Sequence, residues 1–364
     1  MASPWPALAA ESLAVASPVG PLRAGLARPR DRVVRGTVFL LQGRGEFLEK
    51  YAATVERLVA AGLVVIGLDW RGQGGSPRLV PGTARGHVDD FVAYLEDVDL
   101  LTARAAALGL PEPWLLLGHS MGGHVALRWL GLGPRPVARA ALVTPMFDIA
   151  LVPPPRPFVR SVAEAAVRLG AARRYAPGQG DPRSSCPFEG NPATSCPEGF
   201  AAAWEVLRRH PERRVGGVTW GWLAAALRSI EAARAPGFAE SIEVPLLLVR
   251  AGEDRIVCNR AIGRFARRLP RARLVDHPGA RHDLFFERPV VRERLWADLL
   301  AFFAGRVEEA SPHAARRAAE PAAADPVRAG GPPTLPSARG AATASRGEGE
   351  SPPASRAVPE ATGR

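Results

Sequence analysis

The pentapeptide Gly118-His119-Ser120-Met121-Gly122 sets a serine between two glycines, after the apolar run "WLLL" and before an amphipathic stretch. A serine at a tight strand-to-helix turn has its hydroxyl lifted clear of the sheet. The flanking positions must be small, because a Cβ there would strike the neighbouring strand or helix. The helix that follows points its N-terminus at the hydroxyl and favours negative charge developing there. The five residues alone say little, since an inert serine also occurs in Gly-rich turns. The strand before and the helix after are what make Ser120 a candidate nucleophile.

A serine hydroxyl needs a base to attack at neutral pH. That base is expected on a loop late in the chain, with an acid before it. The chain has seven histidines. His119 adjoins the serine, His124 lies one helical turn on, and His87 precedes a helix. His210 falls in a long inter-strand segment, His277 in or at the end of the last strand, and His313 in the C-terminal tail. His282, in "GARHDLFFE", follows the last strand on a Gly-containing loop and is the candidate base. For the acid, "LLLVRAGEDRIV" places Asp254 just past a strand end, where a loop reaches back to His282. Glu253 is its near competitor and Asp148, after an earlier strand, a distant one. Asp283 adjoins His282 and is badly placed to reach its ring. The acid would hold the imidazole tautomer and stabilise the imidazolium.

An oxyanion needs two backbone N–H donors. Met121, after the serine, offers one. The other is expected from "LLQGRGEF", where Gly43 allows close approach and the N–H of Gln42, Gly43 or Arg44 is available, with Arg44 preferred. The same Gly43-Arg44-Gly45 makes a poor nucleotide loop, because no G-x-G-x-x-G completes and no Walker lysine exists.

These groups need a scaffold. Apolar runs at 36–43, 63–70, 113–119, 138–145, 244–254 and 272–282 read as strands. Helical periodicity covers 47–62 and 88–109, and a helix starts at Ser120. Buried strands separated by helices mean βαβ units and a mostly parallel sheet. Residues 151–240 break the alternation with helical patches, Pro-rich turns and Trp204, Trp220 and Trp222, and no clear strand. Inserted between two strands at the end where they terminate, the segment is expected to cap that end of the sheet. Trp204, Trp220, Trp222 and Phe188 are candidates to line an apolar channel there, and each is at least as readily explained as packing of the cap onto the core.

Residues 1–30 are Pro- and Ala-rich and read as a tail ending in an edge strand at most. Residues 307–364 are Ala, Pro, Gly, Ser and Arg with almost no large apolar side chains, and are expected to be disordered. The N-terminus lacks the basic and apolar regions of a signal peptide, and the longest apolar run is too short to span a bilayer. The expectation is a cytoplasmic protein, with peripheral contact to the inner membrane as the variant. Net charge is +11, and Lys50 is the only lysine among 47 basic residues. A positive surface suits an anionic membrane, but no arginine cluster is interleaved with aromatics as a nucleic-acid groove requires. The three cysteines, Cys186, Cys196 and Cys258, are too few and oddly spaced for a disulfide framework or a zinc site.

The stretches "LLQGRGEFLEKY", "DWRGQGGSPR", "GHVDDFVAYLEDVD", "GHSMGG", "TPMF", "RVGGVTWGWL" and "AGEDRIV…GARHDLFFE" resemble the α/β-hydrolases of the monoacylglycerol lipase and lysophospholipase branch, in the serine aminopeptidase S33-like group. "PFEGNPATS" and "RVGGVTWGWL" resemble its bacterial lysophospholipases in particular. The resemblance covers roughly residues 30–305. It implies an α/β-hydrolase core at 31–150 and 241–306, with a helical cap at 151–240 inserted after the sixth strand. It also implies Ser120, Asp254 and His282 as a triad that cleaves fatty-acyl esters through an acyl-enzyme, with no cofactor and no metal. The chain departs from many relatives in carrying Gln42-Gly43 where they carry His-Gly. Thioesterase, acyltransferase and peptidase chemistry use the same triad, and a non-catalytic binding protein is the alternative of another class. Head group, acyl length and oligomeric state are not legible.

Overall fold

Short apolar runs bounded by glycine and proline become the strands of one twisted sheet. In this computed structural model, residues 3–8, 10–150 and 156–306 are described. The strands are β1 (Glu11–Val15), β2 (Leu22–Ala27), β3 (Thr37–Leu41), β4 (Val64–Leu68), β5 (Trp114–His119), β6 (Arg139–Val143), β7 (Leu246–Ala251) and β8 (Ala272–His277). Among the described residues they form a sheet in the order β1-β2-β4-β3-β5-β6-β7-β8. From β4 to β8 every pairing is parallel, and β3 sits beside β5 with Leu41 opposite Gly118. That register brings the ends of β3 and β5, with their loops, to the same edge.

Side chains alternate across the sheet as strand geometry requires. Phe39, Ile66, Leu116 and Leu142 enter one core with helices α2 (Val92–Ala107), α3 (Met121–Leu130) and α7 (Asn259–Arg268). Val38, Val65, Leu115 and Val249 enter a second core with α1 (Ala52–Ala60) and α8 (Pro289–Phe303). With both faces covered, the central strands are continuously apolar.

The segment between β6 and β7 holds α4 (Arg156–Ala166), α5 (Pro197–Arg209) and α6 (Trp220–Arg234), with no named strand among its described residues. These helices differ in burial. The described face of α5 has no buried residue. Helix α6 places Trp222, Ala225 and Ala226 in the first core, beside α3. Asp148, in the loop that follows β6, pairs with both Arg156 and Arg234 and so ties α4 and α6 to that loop.

The N-terminal expectation needs correction. Residues 11–27 are not a tail but an antiparallel hairpin, and β2 continues the sheet antiparallel to β4. Trp5 is buried, donates from Nε1 to the carbonyl of Leu48 at 2.7 Å, and lies over Gly25. A Cβ at Gly25 would come within 3.0 Å of the Trp5 ring. Every residue of β2 is buried, but "LRAGLA" is so rich in small side chains that it carries little hydropathy signal. The C-terminal tail, 307–364, and residues 151–155 of the inserted segment lie outside the described residues. Among the described residues no helix is long and apolar enough to cross a membrane. The three cysteines are unpaired.

Candidate active site

Ser120 sits between β5 and α3 with φ 51° and ψ −116°, a conformation that L side chains seldom adopt. Its neighbours hold it there. Its N–H donates to Val143 at 3.0 Å, and its carbonyl accepts from Met146 at 2.9 Å. The two flanking glycines are required for the reason expected. A Cβ at Gly122 would lie 2.1 Å from the carbonyl oxygen of Leu41, and one at Gly118 would lie 2.9 Å from Gly123. Close approach of the turn to the end of β3 is what brings the oxyanion loop to the serine.

The Ser120 hydroxyl lies 2.9 Å from Nε2 of His282, and Nδ1 of His282 lies 2.7 Å from Oδ2 of Asp254. A carboxylate at Nδ1 fixes the proton on that nitrogen and leaves Nε2 as acceptor for the serine. The Asp254 side chain is fully buried, and its Oδ1 accepts the N–H groups of Ile256 and Val257 at 2.8 and 3.0 Å. Three hydrogen bonds thus hold it in one rotamer. The competitors are accounted for. Glu253 is exposed, and Asp148 is occupied by Arg156 and Arg234. Asp283 turns away from the ring to Lys50, 2.6 Å away.

The loop that carries His282 is fixed from two sides. Thr144, buried and at φ 42°, donates its hydroxyl to the carbonyl of His282 at 3.0 Å. Arg281 reaches the carbonyls of Asn191 and Thr194, and the N–H of Asp283 donates to Ala193 at 2.7 Å. The stretch 191–194 therefore acts as a strut for the histidine loop.

On the oxyanion side the donors differ in availability. Among the described residues no acceptor takes the N–H of Met121 or of Arg44. The N–H of Gly43 is committed, donating to Oε2 of Glu46 at 2.7 Å. Gly43 is therefore withdrawn as a donor, because a carboxylate three residues on has captured its amide. Glycine is still needed there, since a Cβ would lie 2.6 Å from that oxygen. The Arg44 side chain leaves the loop for the inserted segment, donating to the carbonyls of Gly216 and Gly217 at 2.9 and 2.7 Å and covering the Trp222 ring. Burial lowers its pKa to about 10, against weak opposing fields from Tyr94 and Tyr175. The Gln42 side chain points back to Asp69, 2.9 Å away, in a fully buried position.

Of the candidate channel aromatics, Trp204 borders a cavity beside the oxyanion loop, and the other three are placed separately. Trp222 is buried and packs edge-on against Phe91, as part of the core. Trp220 is half-buried beside Arg174, to whose carbonyl its N–H donates. Phe188, half-buried, packs on Phe200. Among the described residues no ring contact joins the three. A cavity of about 330 Å³ does open between Gly45 of the oxyanion loop and Trp204, Leu207 and Val215 of the inserted segment. A larger one, about 690 Å³, lies at the opposite end of the strands, beside Gly62 and Pro113, away from Ser120.

Sequence reasoning missed a buried polar cluster behind the serine. Glu46 accepts from Lys50 and from the hydroxyl of Tyr51 at 2.5 Å, and His119 Nδ1 lies 3.1 Å away. Burial pushes the Glu46 carboxyl up, but Lys50 and His119 outweigh it and hold it well below the usual range. Burial opposes the charge on Lys50, and Asp283 and Glu46 reverse that and raise its pKa. Burial, then Glu46, raises Tyr51. The signal available was the Glu46–Lys50 spacing of four.

Residues 32–289 match the family described as serine aminopeptidase, S33. The chain is 29% identical over 267 residues to a probable lysophospholipase L2 of Haemophilus influenzae, covering 73% of this chain and 82% of that protein. It is 31% identical over 293 residues to lysophospholipase L2 of Escherichia coli, covering 76% and 82%. Among solved structures, a soluble variant of the Saccharomyces cerevisiae monoglyceride lipase superposes with TM-score 0.64 at 18% identity, over 82% of this chain and 97% of that one. The eight-stranded sheet, the serine turn and these likenesses agree, and the chain belongs to the serine aminopeptidase S33 family of α/β-hydrolases.

Proposed function

We propose that the protein is a serine hydrolase of fatty-acyl esters, a lysophospholipase or monoacylglycerol lipase, acting through an acyl-enzyme on Ser120. The relay of 2.9 and 2.7 Å from Ser120 through His282 to buried Asp254, beside two uncommitted amides, carries this reading. His282 Nε2 takes the hydroxyl proton as Ser120 Oγ attacks the ester carbonyl. The oxyanion forms against the N–H groups of Met121 and Arg44, and the N-terminus of α3 adds to the field there. Asp254 stabilises the imidazolium, which returns its proton to the leaving alcohol. Water, activated by the same nitrogen, then releases the fatty acid. Two relatives named as lysophospholipases, matched over most of their length, support the substrate class.

The test is a hydrolysis panel of lysophospholipid, monoacylglycerol, short and long p-nitrophenyl esters and an acyl thioester, run on wild type and Ser120→Ala. Fatty acid release from a lipid ester that Ser120→Ala loses by about 10⁴-fold or more is expected. Preference for the thioester moves the assignment to a thioesterase. A folded wild type that cleaves none of them and resists a fluorophosphonate probe leaves a binding protein.

Contact with a membrane has its own support. Helix α4 and the turn after it expose Phe158, Val162 and Leu169, at 60%, 37% and 85%, alongside Arg160 and Arg168, which share an ion pair with Glu164. Apolar side chains flanked by arginines suit an anionic lipid surface. Flotation with anionic but not zwitterionic vesicles, weakened by Leu169→Ser, is the expected result.

A further inference from the structure

Lys50 is the only lysine in a chain whose other basic residues are all arginine. Its side chain is about one-tenth exposed and its ammonium is shared between Oε1 of Glu46 and Oδ2 of Asp283. The ring of Phe286 lies 5.1 Å from it. An ammonium is a compact point charge with three donors, whereas a guanidinium is a wide planar fork. A gap between two carboxylates, closed over by an aromatic ring, fits the first and not the second. The two carboxylates belong to different loops. Glu46 holds the oxyanion loop in shape by taking the N–H of Gly43, which leaves the next amide, that of Arg44, uncommitted. Asp283 follows His282 directly. Without the cation, two buried carboxylates would face each other and separate or take up a proton.

We propose that Lys50 is a positioning residue for ester hydrolysis, its ammonium clamping the oxyanion loop at Glu46 to the base loop at Asp283 so that the amides and His282 keep their separation across the ester. This rests on the hydrolase reading of Ser120, and misplacement by about 1 Å is enough to lower turnover about a hundredfold.

The test compares the full-length wild type, Lys50→Met, Lys50→Arg, Asp283→Asn and the double variant Lys50→Met/Asp283→Asn. Each is assayed for kcat and KM on a monoacylglycerol and a p-nitrophenyl ester, and for the rate of fluorophosphonate labelling at Ser120. Lys50→Met is expected to lower kcat about tenfold to a hundredfold with KM within about threefold. Lys50→Arg recovers part of the loss at most. The double variant loses less than the product of the single losses, because removing Asp283's charge relieves the repulsion that Lys50→Met creates. An undiminished kcat in Lys50→Met, or a loss confined to KM, overturns the proposal. If Lys50→Met fails to fold, Asp283→Asn decides: reduced kcat at unchanged KM supports the clamp and unchanged kcat overturns it. A wild type that neither hydrolyses nor labels overturns the hydrolase reading itself. A labelled, active wild type with an equally active Lys50→Met overturns only the role of Lys50.

Discussion

At Ser120 the backbone and the hydroxyl are governed by different neighbours. The backbone is set by glycines and by hydrogen bonds to Val143 and Met146, the hydroxyl by His282. Gly122→Ala attacks only the first. Its Cβ would meet the backbone of Leu41 at 2.1 Å, and backbone cannot rotate aside. A loss of about 2–3 kcal/mol is expected, read as a fall in denaturant midpoint, and a midpoint equal to wild type would contradict the contact. Asp254→Asn attacks only the second. It keeps the shape but supplies no charge and the wrong tautomer, so kcat is expected to fall about 10³- to 10⁴-fold with the melting curve unchanged. Ser120, His282 and Asp254 were legible because each follows a strand in an order that the motif dictates. The loss of Gly43 as donor was not legible, because it depends on how a turn folds Glu46 back on its own loop.

Helix α6 shows what an element takes from its neighbours. Its sequence reads as part of a cap, yet Ser229 on it accepts or donates at 2.8 Å to Nε2 of His124 on α3. The strands were legible in number and place from 36 onward because burial on both faces leaves an unbroken apolar run. The packing of α6 was not, since an alanine-rich helix fits a core or a cap equally. Its contact with α3 makes a pH prediction. Burial, helped by the positive charge of Arg128, lowers the pKa of His124 to about 3. The unfolded chain binds that proton near 6.5. Between those values the unfolded state holds the extra proton, so this histidine contributes stability that is present above pH 6.5 and lost on acidification. The slope is at most about 1.4 kcal/mol per pH unit. Denaturation at pH 7, 6 and 5 is expected to show a shallower pH dependence for His124→Gln than for wild type. Equal slopes would place the buried proton elsewhere.

At the scale of the whole molecule, the described residues build one sheet whose start was hidden. The hairpin β1–β2 was misread as a tail because alanine and glycine bury well while signalling little, and because Trp5 packs through a contact 43 residues away in sequence. The core and the order of the catalytic candidates were visible; the polar cluster behind the serine was not, since its partners come from three stretches of chain far apart in sequence. The lone lysine has a practical corollary. Amine-selective reagents find only the α-amino group and one side chain on this protein. That side chain is about nine-tenths buried between two loops, so its reaction is expected to speed up when they part. The rate of its reductive methylation is then a clock for that opening, and isotopically labelled lysine gives a single resonance for the entire chain. Slowing of that clock by a phosphonate on Ser120 would report, from one atom, that occupying the site stiffens the wall behind it.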